Sequence, residues 1–107
     1  TISLISLLSL FLFRTALTKY FEEFFDKLRY SSWHSPQDIT RQFKSADLIT
    51  CKKGQRSRIV FNIGRNKYRL VCGYWFRKIE VVLYIKFLGT HKEYDKIDVC
   101  LVDMFKK

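Results

Sequence analysis

The stretch Ile59-Val60-Phe61-Asn62-Ile63-Gly64-Arg65-Asn66-Lys67-Tyr68-Arg69-Leu70-Val71-Cys72-Gly73-Tyr74-Trp75-Phe76 decides the fold. Ile59, Phe61 and Ile63 recur at every second residue, the period of a strand with one buried face. Gly64-Arg65-Asn66-Lys67 reads as a turn, with Gly64 and Asn66 able to adopt left-handed backbone angles. A second strand follows from about Lys67 to Phe76. Lys67, Arg69, Val71, Gly73 and Trp75 form one of its faces, and Tyr68, Leu70, Cys72, Tyr74 and Phe76 the other. Arg77-Lys78 makes a tight turn into a third strand from Glu80 to Leu88. There Val81, Leu83, Ile85 and Phe87 share one face, and Glu80, Val82, Tyr84, Lys86 and Leu88 the other.

Upstream of this sheet the period lengthens. Leu10, Phe13, Leu17, Phe21, Phe24 and Leu28 recur every three or four residues, opposite Arg14, Lys19, Glu22, Glu23, Asp26 and Lys27. This is an amphipathic helix broad enough to cover a sheet. Ser35-Pro36-Gln37-Asp38 reads as the start of a second, short helix ending near Phe43 and anchored by Ile39 and Phe43. A proline needs no donor in the first turn, and an acid there suits the helix dipole. Ile2 and Leu4 suggest a short first strand. The apolar run Thr1–Phe13 is shorter than a membrane span requires and lacks the basic lead of a signal peptide. It reads as that strand plus the start of the buried helix, with a signal sequence as the alternative. Downstream, Thr90 and Glu93 match a capping box, so His91–Lys96 is a short helix or turn. Ile97–Phe105 is either an edge strand or a frayed helix.

A chain of 107 residues is expected to form a single domain, 1–107. Its 48% apolar and 17% aromatic content is too rich for disorder. The formal net charge is +10. No acidic residue falls between Lys52 and Lys78, where Lys52, Lys53, Arg56, Arg58, Arg65, Lys67, Arg69, Arg77 and Lys78 interleave with aromatic and aliphatic residues. A folded basic surface of this kind is the footprint of a polyanion partner, most commonly nucleic acid. Cys51, Cys72 and Cys100 form no CxxC pair, so reduced thiols in a cytoplasmic protein are expected, with Cys72 a small core residue.

Val60-Phe61-Asn62-Ile63-Gly64 with Asn66-Lys67-Tyr68-Arg69-Leu70, followed by Tyr84-Ile85-Lys86-Phe87-Leu88-Gly89-Thr90-His91-Lys92-Glu93-Tyr94-Asp95-Lys96-Ile97-Asp98, resembles the HigB family of bacterial toxins. Ser45-Ala46-Asp47 and the pair Trp33 and Ser35 also fit, while the N-terminal helix matches in outline only. The resemblance implies an α+β, RelE-like fold with N-terminal helices packed on a small antiparallel sheet. It further implies an endoribonuclease that cuts mRNA on translating ribosomes, and a HigA-type helix-turn-helix antitoxin as partner.

Such cleavage needs no metal or cofactor if the RNA's own 2′-hydroxyl attacks the adjacent phosphate. A base, an acid and positive charge on the phosphorane then suffice. His91 is the candidate for proton transfer, because imidazole titrates nearest neutrality. Tyr94 is a candidate for stacking or phosphate contact, and is a poor base unless nearby cations lower its pKa. In a simple hairpin register Arg69 and Lys86 share a face and lie roughly opposite, a pairing that an intervening phosphate would relieve. An arginine is expected at the position of Lys86, so the chain departs there from the family pattern and loses a bidentate fork. Asp95 and Glu93 are supporting residues, Asp95 by orienting His91 and Glu93 as a cap partner. Lys52, Lys53, Arg56, Arg58, Arg65, Lys67, Arg77 and Lys78 are expected to contact the RNA backbone. The competing readings are a non-catalytic RNA- or ribosome-binding module, an inactive toxin that retains antitoxin binding, and a membrane-surface protein. Against the last stands the absence of a basic amphipathic helix.

Overall fold

The computed structural model describes residues 2–5 (backbone only), 20, 22–24, 26–28, 30–65, 67–78 and 80–104. Leu10, Phe13, Arg14, Leu17, Lys19 and Phe21 of the expected helix, Asn66 of the turn and Phe105 lie outside these.

Among the described residues, five strands form one sheet in the order β1-β5-β4-β3-β2. They are β1 Ile2–Ile5, β2 Asp47–Ile49, β3 Arg58–Ile63, β4 Tyr68–Phe76 and β5 Val81–Thr90. All neighbours are antiparallel except β1, which runs parallel to β5 with Ile2 opposite Val81. The β3–β4 turn takes left-handed angles at Gly64 (φ +67°) and Arg65 (φ +57°), and the Lys67 N–H donates to the Gly64 carbonyl at 3.2 Å. Glycine is needed at 64 for space as well, since a Cβ there would stand 3.0 Å from the Tyr20 ring. Between the second helix and β3, Asp47–Ile49 contributes β2 at the sheet edge. Leu48 of that strand packs on the core.

The described residues at 20, 22–24 and 26–28 are helical, and Phe24 and Leu28 are buried as the stripe predicts. They rest on the face that carries Ile59, Phe61, Leu70, Cys72, Leu83 and Ile85. Phe24 meets Phe61 edge-on with ring centres 5.0 Å apart and lies 5.5 Å from Phe43. A buried side chain of this size contributes ~1.5–3 kcal/mol. The second helix spans Pro36–Gln42 with Ile39 fully buried. Its start is fixed by Asp38, whose carboxylate accepts from the N–H groups of His34 (2.8 Å) and Ser35 (3.2 Å). The two helices are joined through Gln42, which accepts from Trp33 Nε1 at 2.7 Å and donates to the Lys27 carbonyl at 3.3 Å.

One irregularity shapes the second face. Val71 pairs with Phe87, but Cys72 pairs with Ile85, so Lys86 is a surplus residue in β5. A β-bulge of this kind reverses which side the following residues face. Val81, Leu83 and Ile85 point to the helices, and beyond the bulge Leu88 takes over that face. Phe87 turns to the other side, where it clusters with Val60 and Val71. The expected assignment of Phe87 and Leu88 is therefore exchanged.

The segment after β5 covers this second cluster with Tyr94, Ile97, Val99 and Val102. It is neither strand nor helix after Tyr94. Turns built on Asp98, whose carbonyl accepts from Leu101 and Val102, shape it instead. The strap satisfies the backbone that the bulge leaves open: the Met104 N–H donates to the Lys86 carbonyl at 2.8 Å. It also brings Cys100 back to Cys51, and the two form a disulfide. The expectation of three reduced thiols fails here because residues 49 positions apart meet only through the strap. Cys72 alone is free, and it is buried in the core as expected.

Candidate nucleic-acid interface and active site

Arg69 is the centre of the candidate site. The β3 and β5 ladders place it between Asn62 and Gly89, one residue before the Thr90 cap of the short helix His91–Tyr94. That helix forms as the capping box predicts. Glu93 N–H donates to Thr90 Oγ1 (3.2 Å), and Thr90 N–H donates to Glu93 Oε1 (2.8 Å). Glu93 is accounted for by this cap, and the Thr90 N–H first, then its hydroxyl, hold its carboxyl below the usual range.

The cap aims Tyr94 back over the sheet. Its ring centre lies 5.8 Å from the Arg69 guanidinium carbon and 6.5 Å from the Phe87 ring centre. Arg69 Nη1 is buried and has no hydrogen-bond partner among the described residues. A buried guanidinium nitrogen without an acceptor is costly, and it is the group a phosphate oxygen would satisfy. Burial, followed by the Asp47 charge, raises the Tyr94 pKa, and Arg69 only partly opposes them. The phenol therefore stays protonated at neutral pH, and the condition under which it could act as a base is not met. Asp47, at the start of β2, belongs to this surrounding; its three-residue strand carries no period that would mark it in the sequence as a neighbour of Tyr94.

His91 opens the helix, with Nδ1 3.3 Å from Asp95 Oδ2; both side chains are more than half exposed. Asp95 thus stands where it can orient the imidazole. Arg69, Tyr94, His91 and Asp95 share one end of the sheet.

Lys86 is placed differently. Its stem crosses Gly73, where a Cβ would stand 3.7 Å from Lys86 Cε, and its ammonium is 3.1 Å from Asp103 of the strap. The ladder from Phe76–Val81 to Cys72–Ile85 would carry Lys86 opposite Val71 and not Arg69, the bulge leaves it out of the pairing altogether, and its charge is paired within the protein. Arg58 is likewise engaged. Its guanidinium donates to the Val99 carbonyl at 3.2 Å and to the Val102 carbonyl, and burial lowers its pKa against the opposing charges of Asp103 and Asp98. It holds the strap and is no open backbone contact.

The remaining basic residues divide between the sheet's two ends. Arg65 and Lys67 are exposed in the β3–β4 turn, beside the Arg69 end. Lys52, Lys53, Arg56, Arg77 and Lys78 are exposed at the far end, in the loop before β3 and the β4–β5 turn. A cavity of about 270 Å³ also lies at that far end, lined by His34, Arg77, Lys78 and Glu80 among others. His34 thus lies with Arg77, Lys78 and Glu80, away from the Arg69 end. Among the described residues no group of three or more His, Cys, Asp or Glu is gathered to hold a metal ion, and no helix is long and apolar enough to cross a membrane.

Helices on one face of a mostly antiparallel sheet, with cations on the other, define a RelE-like α+β protein. Residues 17–97 match the model of the HigB toxin family, the RelE-like toxic component of a toxin-antitoxin system, and the chain belongs to that family. The matched region contains Arg69, Lys86, His91, Tyr94 and Asp95, whereas Cys100 and Asp103 of the strap fall beyond it. No curated protein matches the chain.

Proposed function

We propose that this toxin is an endoribonuclease that cuts mRNA on the translating ribosome without a metal. The observation that carries the reading is Arg69 Nη1, buried beneath Tyr94 with no hydrogen-bond partner among the described residues, at the end of the sheet where the His91–Asp95 pair follows β5. Arg69 binds the scissile phosphate and stabilises the charge that develops on it. His91, oriented by Asp95, moves the proton between the 2′-hydroxyl and the leaving 5′-oxygen. Tyr94 stays a phenol and supports the site by stacking on a base or donating a hydrogen bond to phosphate. Exposed Lys52, Lys53, Arg56, Arg65, Lys67, Arg77 and Lys78 supply salt-dependent attraction to ribosome-bound RNA. The same surface suits an acidic segment of a HigA-type helix-turn-helix antitoxin.

The site of action is then the cytoplasm, where thiol reductants open disulfides. The test is translation of a defined mRNA by purified ribosomes, with and without dithiothreitol, using wild type, Arg69→Ala and His91→Ala. Cleavage by wild type, lost in both variants while ribosome binding persists, is the expected result. A second reading is favoured by one observation, the capture of Lys86 by Asp103: an inactive toxin that keeps antitoxin binding. Ribosome or antitoxin binding without any cleavage by wild type would establish that reading instead.

A further inference from the structure

Trp75 is 48% exposed on the solvent side of β4. It lies beyond the last β3 pairing, in which Arg58 faces Gly73, so its flank toward the preceding loop is open. Arg56 enters there, with its guanidinium carbon 5.9 Å from the indole ring centre, and Arg77 lies 5.3 Å from it. Arg77 is also paired with Glu80 at 3.3 Å. An exposed indole forfeits burial, and two guanidinium groups on one ring repel each other. A planar base with its flanking phosphates resolves both: the base covers the indole and the phosphates meet the cations.

We infer that Trp75, with Arg56 and Arg77, is a base-stacking subsite for single-stranded RNA. It lies six residues along β4 from Arg69, ~20 Å at the strand rise, and on the same face by alternation. It would hold the strand away from the reacting phosphate with little sequence preference. This rests on the reading of the protein as RNA-binding, but not on its being a nuclease.

The test is titration of the full chain with a short, dye-labelled single-stranded oligoribonucleotide, with affinity read from the anisotropy of the label in every variant and contact at Trp75 from tryptophan fluorescence in the wild type. Trp33 is buried and bonded to Gln42, so quenching reports Trp75. Quenching in wild type is expected, with affinity about tenfold weaker in Trp75→Ala and mostly kept in Trp75→Phe. The Trp75→Ala deficit should persist at high salt, whereas Arg56→Ala should lower the salt slope. Equal affinity of wild type and Trp75→Ala overturns the inference, even if ribosomal cleavage is intact. Quenching by an acidic peptide but not by the oligoribonucleotide overturns it in favour of a protein partner. Quenching without ribosomal cleavage would retain the subsite and refute the nuclease.

Discussion

The Arg69 guanidinium carbon stands 5.8 Å from the centre of the Tyr94 ring, with one of its nitrogens buried and without a hydrogen-bond partner among the described residues. The ring holds the cation in place and screens it from water, an arrangement that strengthens its grip on an anion. Arg69→Ala should lower cleavage ~10²–10³-fold, the scale of a lost oxyanion donor. Arg69→Lys should recover part of this. Tyr94→Phe keeps the ring and should lose less than Tyr94→Ala. Single-turnover cleavage of ribosome-bound mRNA separates these outcomes; equal losses in Tyr94→Phe and Tyr94→Ala would place the effect in the hydroxyl.

Asp103 occupies the Lys86 ammonium at 3.1 Å. Asp103→Asn should free that charge for phosphate and raise cleavage several-fold, on the scale of ~1 kcal/mol for a released charged hydrogen bond. Lys86→Ala made in the Asp103→Asn background should abolish the gain. No gain in Asp103→Asn would mean Lys86 holds the strap and takes no part in the reaction.

Opening the Cys51–Cys100 bond should destabilise the fold. The 49-residue separation corresponds to ~4 kcal/mol of loop-closure entropy, which lowers Tm on the order of 15 °C. Differential scanning calorimetry of Cys51→Ser against wild type measures this. Alkylation should find no reactive thiol in the native oxidised protein and two after mild reduction, at Cys51 and Cys100. Cys72 should react only on unfolding, because burial pushes its thiol far above the ordinary range. Labelling of Cys72 in the folded state would contradict its place in the core.

Acid should weaken the termini of both short helices. The Thr90 N–H and hydroxyl hold Glu93 below its ordinary value of 4.5, and the His34 N–H first of all holds Asp38 below 3.8. A depressed carboxyl stabilises the fold above its unfolded pKa, and that contribution disappears as pH falls through the folded value. The Tm advantage of wild type over Glu93→Gln should therefore be full at neutral pH and close on acidification below about 4. A gap that widened with acid would refute the cap assignment.

Gly89 faces Arg69 across the ladder. A Cβ there would come within 2.6 Å of Phe87 Cζ and 3.1 Å of Glu93 Oε1. Gly89→Ala should cost ~1–3 kcal/mol of stability, read by urea unfolding, and disturb cleavage by displacing the cap.

Where side chains alternate or recur cleanly, the sequence was a sufficient guide. The β3–β4 hairpin, Phe24 and Leu28 on the sheet, the Pro36 helix start and the Thr90–Glu93 box all stand as their patterns imply. The misses have physical reasons. Phe87 and Leu88 are both apolar, so alternation cannot register that Lys86 is surplus to the ladder. Asp47-Leu48-Ile49 is too short to display a period. The strap has no period at all, and what fixes it is long-range: the Arg58 donors, the Asp103 pair and a disulfide to a loop half the chain away. The Thr90–Glu93 cap beside Arg69 was legible because its two partners are three residues apart. The environment of Lys86 was not, because its partner is remote.

The tie between Cys51 and Cys100 makes a covalent ring of the chain it encloses, and Arg69, Lys86, His91, Tyr94 and Asp95 are all inside that ring. Oxidised molecules that lose their native shape thus keep these five side chains within a shortened search volume. Reassembly of that part of the fold is then a contest among fewer conformations than a linear polypeptide offers, whatever becomes of the segments outside the ring.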